Sequence, residues 1–247
     1  MLSTVRSACV AASLVLASGG LSGCAGARVA AVHRPAPSQV TRSGVLTTAV
    51  RYATHVWIGT AANVRHGVDA ADIRVDTPDF SYQKPGAIPG YWVPGAVNRG
   101  LPYQWGGFST PEQFDRGLAA GLAAGDVYTD QKRALLHDGV SAEAVGIDCS
   151  GFVSRCWGLP RAFSTRELSQ LCDELPSWDD LKPGDVLNLY NAHVVLFSGW
   201  MDPARTRLAG YETGGPPDWK VMRHVIGVEF LRKKGYRPLR YRGIREG

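Results

Sequence analysis

A cysteine placed to open a short apolar helix is the feature of this chain with the most chemical content. The run Ile147-Asp148-Cys149-Ser150-Gly151-Phe152-Val153 begins with Asp148, a good N-cap residue. Cys149, Phe152, Val153 and Cys156 follow at i, i+3, i+4 and i+7 and so share one helix face, which should be buried. Gly158 and Pro160 stop the helix. Cys149 then lies in the first turn, where the partial positive charge of the backbone favours a thiolate. A thiolate attacks carbonyl carbon. The same residues also suit a small buried hydrophobe, a common use of free cysteine.

Such a nucleophile needs a base. Of the six histidines, His33 lies in a linker-like stretch, His66 and His137 in polar loops, and His55 on a predicted helix. His193 and His224 begin or sit in apolar β-type runs, from which either can face a cleft. His193 opens a run whose two faces, Val195-Phe197 and Val194-Leu196, are both apolar, the pattern of a strand buried on both sides. A histidine at the mouth of such a strand either serves a site or is satisfied by a partner in the core. A third group should accept the second imidazole N–H. Glu212 fits by arithmetic, because 193 and 212 are centred on Asp202-Pro203, the best turn dipeptide of this stretch. A hairpin about that turn sets His193 directly opposite Glu212, with Cβ atoms about 4.5–5.5 Å apart. Tyr211 and Thr213 then point to the other face.

The elements that must hold these groups are helices first and an antiparallel sheet after. The spacing of Val45, Ala49, Tyr52, Ala53 and Val56 predicts a helix from 45 to about 64. Residues 67–101 are rich in turn formers and read as a long loop. Helical stretches follow at 111–124 and 130–136, and β-type runs at 185–190, 193–199, 206–213 and 220–228. This is an α+β pattern. With 247 residues the chain holds one or two domains, and 42–247 reads as one, with its core at about 101–247.

Composition excludes whole classes. At 45% hydrophobic and 20% charged, the chain is neither fibrous nor disordered. A net charge of +5 is too small and too dispersed to argue for nucleic acid, which is not expected as a partner. Five cysteines are too few for a disulfide scaffold. Cys149 and Cys156 stand about 10 Å apart along a helix and cannot pair. Cys156 and Cys172 read as two buried thiols, with a disulfide between them as the alternative. No HExxH, paired CxxC, P-loop, G-x-S-x-G or EF-hand loop occurs, so no cofactor and no metal is expected. Asp69, Asp72, Asp76 and Asp79 lack calcium-loop spacing and read as a solvated turn region. The basic residues from Arg232 to Arg245 read as the charged face of a last strand.

The N-terminus has its own logic. Arg6, an apolar run over 8–16 and small residues after it give residues 1–23 the layout of an export signal. The apolar run is too short to span a bilayer. Leu21-Ser22-Gly23-Cys24 resembles a bacterial lipobox, in which the cysteine is acylated and becomes the mature N-terminus. Residues 24–41 then read as a flexible tether. The expected location is the cell envelope, lipid-anchored through Cys24 outside the cytoplasm.

Taken together, DCSGF (148–152), the earlier PYQWGG (102–107), and the later STRELSQL (164–171) and LKPGDV (181–186) leading to HVVLF (193–197) resemble the NlpC-type papain-like cell-wall cysteine peptidases. The resemblance covers about 101–226. It implies a papain-like α+β fold with the nucleophile helix packed on a small antiparallel barrel or sheet. It also implies hydrolysis of amide bonds in peptidoglycan stem peptides, often between D-glutamate and the diamino acid, with Cys149 as nucleophile and His193 as base. The third, polar position is usually His, Asn or Gln in the family, and Glu212 is its best match here, which is a departure. Tyr103 and Asp148 match positions that line the pocket and receive the free amine of the substrate, as a carboxylate can by a charge-assisted hydrogen bond. A second departure is the 40 residues, 108–147, between Gly107 and Asp148. Relatives have only a few there, so the insert is expected beside the cleft as a lid or wall. The expected partners are stem peptides and the membrane, and the expected state is a monomer. Two other readings remain at this stage: a thiol hydrolase or acyltransferase acting on a different amide or ester, and a non-catalytic wall-binding lipoprotein.

Overall fold

Thr41 starts the first helix, α1 (Arg42–Thr54), by accepting the Gly44 N–H on its side-chain oxygen at 3.1 Å. Val45, Ala49 and Tyr52 form its buried stripe. In the computed structural model, which describes residues 39–82, 90–214 and 219–246, the helix ends ten residues before its predicted limit. The cause is a change of period. Trp57 is buried while Val56 and Ile58 are exposed, and this alternation serves a strand, Val56–Ile58, paired with Val97–Arg99. Residues 1–23, Cys24 and most of the 24–41 tether lie outside the described residues. The tether is also shorter than expected, since Val40–Thr41 pair in parallel with Ile244–Arg245.

The 67–101 stretch is not one loop. It holds the hairpin strand Arg74–Asp76, paired with His66–Val68, as well as Val97–Arg99. Of its acids only Asp72 is solvent-exposed in a turn as expected, while Asp69, Asp76 and Asp79 are buried. Asp69 accepts the Ala71 and Ile73 N–H groups and the Ser141 hydroxyl, and Asp79 accepts from Thr77 and Ser81.

The insert begins with α2 (Pro111–Ala119), opened by a Thr110–Gln113 capping box and Pro111. It stops short of 124 because Gly121 turns the chain at φ 80° and Ala123–Ala124 pair with Ala144–Val145. Phe114 anchors α2 edge-on to Trp57, with ring centroids 5.2 Å apart. Next comes α3 (Asp130–Leu135), capped by Thr129. Its Lys132 reaches Asp126, and both residues are buried. The remaining α-helices among the described residues are α4 (Cys149–Cys156), α5 (Thr165–Leu168) and α6 (Val228–Lys234).

One sheet organises the second half. Its six strands lie in the order Met222–Gly227, Arg207–Glu212, His193–Trp200, Val186–Leu189, Arg237–Tyr241, Cys172–Glu174, with every neighbouring pair antiparallel. The His193–Trp200 strand is covered on both faces, as its sequence suggested. Val194 and Leu196 pack in the cluster that holds Phe152, Val153 and Cys156 of α4, while Val195 and Phe197 pack with Leu231 of α6. The chain is therefore a mixed α and β protein built on an open antiparallel sheet rather than a barrel.

Cys156 and Cys172 are free, buried thiols. Of the C-terminal basic residues, Arg232 to Lys234 belong to α6 and not to a strand, while Arg240 and Arg242 pair with Asp185 and Asp173. Among the described residues no helix is long and apolar enough to cross a membrane, and no three His, Cys, Asp or Glu side chains gather as a metal site.

Candidate active site

Asp148 caps α4 as its residue type predicts. Its Oδ1 accepts the Gly151 N–H at 2.5 Å and the Ser150 hydroxyl at 3.1 Å, and its own N–H donates to the Gly107 carbonyl at 3.1 Å. Two distant motifs meet here. The 102–107 segment turns at Gly106, φ 67°, and delivers the Gly107 carbonyl against Gly151, where a Cβ would lie 2.3 Å from that oxygen. Gly151→Ala therefore forces α4 off this turn. We expect a loss of about 1–3 kcal/mol in denaturant unfolding, the usual cost of overpacking. Burial pushes the Asp148 carboxyl up to about 6, against the hydrogen bonds that favour its charge.

Cys149 is the first residue of α4 and is half-buried. Its N–H occupies the position at which a helix offers no carbonyl of its own. Cys149 and His193 border the same cleft, and the His193 Nε2–H donates to Glu212 Oε2. With Nε2 held in this way, Nδ1 is the ring nitrogen left for the thiol. Burial pulls the His193 imidazolium down, but negative charge on Cys149 and the Glu212 carboxylate outweigh this and raise it to about 10. Burial also acts against the Glu212 charge, yet donors from His193 and His224 hold its carboxyl down to about 2. A depressed carboxyl contributes stability above its ordinary value of 4.5, and that stability is lost as pH falls through about 2. The unfolding free energy of Glu212→Gln should accordingly approach that of the wild type over this acid window, as read by urea titration at stepped pH.

The His193–Glu212 contact forms in a register other than the expected one. Leu196 pairs with Tyr211 and Phe197 with Gly210, which sets Glu212 across from Val195 and diagonal to His193. The turn at Asp202, whose carboxylate accepts the Thr206 and Arg207 N–H groups, is shifted relative to the predicted centre. A bulge at Ser198 then changes the pairing by one residue, because Gly199 pairs with Ala209. Without that extra residue Glu212 would face Leu196 and lie on the wrong side of the sheet. Diagonal neighbours are within reach of a long side chain.

These groups line one cavity of about 460 Å³, of a size that takes small ligands. Cys149, His193, Glu212, Asp148 and Tyr103 all border it. Tyr103 is buried and tilted against Trp219, with centroids 5.6 Å apart, and burial pushes its hydroxyl well up. The insert supplies a wall through Tyr128, Arg133, Leu136, His137 and Val140. Arg133 also donates to the Asn191 carbonyl at 2.5 Å, tying that wall to the turn that leads into His193.

Sequence reasoning named His224 only as the other histidine able to face a cleft, and it missed Tyr236. His224 Nε2 meets Glu212 Oε1, and Tyr236 lies edge-on to the His193 ring at 6.4 Å. The place of His224 could have been found from its parity with Glu212 across the last two strands of the apolar series. No family model, curated protein or solved structure matches this chain.

Proposed function

We propose that this chain is a cysteine-type peptidase or amidase of the papain-like, NlpC-type class, which hydrolyses amide bonds in peptidoglycan stem peptides. It acts in the cell envelope, anchored through an acylated Cys24. One observation carries the reading: a cysteine at a helix N-terminus, a histidine and a carboxylate bonded to that histidine all border a single cleft.

The chemistry follows from those positions. The Cys149 thiolate, paired with protonated His193, adds to the amide carbonyl. Backbone N–H groups at the start of α4 receive the oxyanion. His193 gives its proton to the leaving amine as the C–N bond breaks, which leaves a thioester on Cys149. His193 then takes a proton from water, the hydroxide displaces the thiolate, and a free carboxylic acid leaves. Glu212 keeps the His193 Nε2 protonated throughout, so that Nδ1 does the proton transfer. Asp148 and Tyr103 supply the end of the cleft that receives a substrate ammonium, and the Asp148 carboxylate pairs with that cation.

The insert wall favours a second reading, in which the same thiol chemistry serves a different amide or ester. Mass spectrometry of fragments released from purified peptidoglycan separates the two. New amine and carboxyl ends within stem peptides support the first reading, and an unaltered wall removes it.

A further inference from the structure

Glu212 meets two histidines, one at each oxygen: His193 by a hydrogen bond and His224 by an ion-pair contact. Oε2 takes the His193 hydrogen bond, and Oε1 meets Nε2 of His224 from the neighbouring Met222–Gly227 strand. The register explains the second contact. Gly210 pairs with His224 and Glu212 with Met222, so His224 is diagonal to Glu212 on the same face of the sheet. The residue directly across from His224 has no side chain, which leaves the imidazole free to lean towards the carboxylate. His193, Glu212 and His224 thus form a row across three adjacent strands.

We propose that His224 is a positioning residue for the Cys149–His193 pair: by holding Glu212 Oε1 it fixes the plane of the carboxylate and keeps Oε2 on His193 Nε2. The inference rests on the reading of Cys149 as a nucleophile served by His193. A glutamate side chain has several rotatable bonds, and a single hydrogen bond to one oxygen leaves the carboxylate free to rotate about its last one. A second partner at the other oxygen, in ion-pair contact though not in hydrogen-bond alignment, limits that freedom. His224 itself borders the edge of the sheet, with its side chain 36% exposed, against 18% for Glu212. It approaches Glu212 from the side away from His193 and touches no reacting atom, so its effect passes entirely through the carboxylate.

The test uses the full chain and two readouts. One is the rate at which iodoacetamide alkylates Cys149 at pH 7, which needs no knowledge of the substrate. The other is the split of kcat against KM on peptidoglycan fragments. We expect His224→Leu to lower the alkylation rate and kcat by about tenfold, as is usual for removing an outer partner of a working histidine, with KM unchanged. His224→Gln keeps an N–H donor and should remain within about twofold of the wild type. His224→Phe retains the bulk of the ring without a donor and replaces leucine if that variant melts below the assay temperature. Wild-type rates in the leucine or phenylalanine variant overturn the proposal, as does a glutamine variant that falls as far as they do. Failure of the underlying reading looks different: Cys149 then reacts no faster than a free thiol in every variant, the wild type included.

Discussion

Cys149→Ala retains the fold and loses turnover by a factor of at least about 10⁴. The two halves of this expectation have separate causes. Cys149 is half-buried at the cleft surface, so removing its sulfur leaves a space open to water and costs about 1 kcal/mol or less. Asp148 still caps α4, because that contact uses the Gly151 N–H and the Ser150 hydroxyl rather than the thiol. The proposed reaction, in contrast, has no other accessible thiol among the described residues. Cys156 and Cys172 are buried, and burial pushes both thiols up, away from the reactive form. Circular dichroism melting and mass spectrometry of wall digests check the two halves independently. Full activity of the alanine variant would remove the proposed mechanism.

Lys132→Met should destabilise the protein by about 3–5 kcal/mol, although it lies outside the row of His193, Glu212 and His224. Lys132 is 2% exposed, and its ammonium meets the Asp126 carboxylate, which is wholly buried. Asp126 also accepts the Asp76 N–H at 3.1 Å. Burial raises the Asp126 carboxyl to about 6 even with Lys132 beside it, so an unpaired Asp126 would take up a proton rather than stay charged. The loss should therefore be smaller at pH 5 than at pH 8. Adding Asp126→Asn to the methionine variant should recover part of it. Urea unfolding of the three proteins at both pH values measures this, and equal losses at pH 5 and pH 8 would contradict the argument. The pair matters for the site because α3 carries Arg133 and leads into the insert wall of the cleft.

What could be read in the sequence follows the range of the forces involved. The start of α4 was legible because capping and a helical stripe are local: Asp148, Gly151 and Phe152 lie within four residues of one another. The pairing of His193 with Glu212 was legible for a subtler reason. The predicted register is off by two, and a two-residue slip keeps every side chain on its own face. The end of α1 was not legible, since Val56 continues a helical spacing as readily as it begins a strand. The path of the insert was not legible either. It is fixed by long-range contacts such as the Gln104 amide on the Ser141 and Ala144 carbonyls, which no spacing within the insert encodes. His224 depends on the pairing of two strands, and its partner shows only once that register is known.

The extra residue at Ser198 has a wider consequence. It decides odd from even between the histidine and its carboxylate, and it lies on the site's side of the 201–206 tip. A change of length confined to that tip therefore leaves His193 and Glu212 on one face of the sheet. A single insertion or deletion between 193 and 199 would instead swap the sheet's two sides and separate proton carrier from counter-ion.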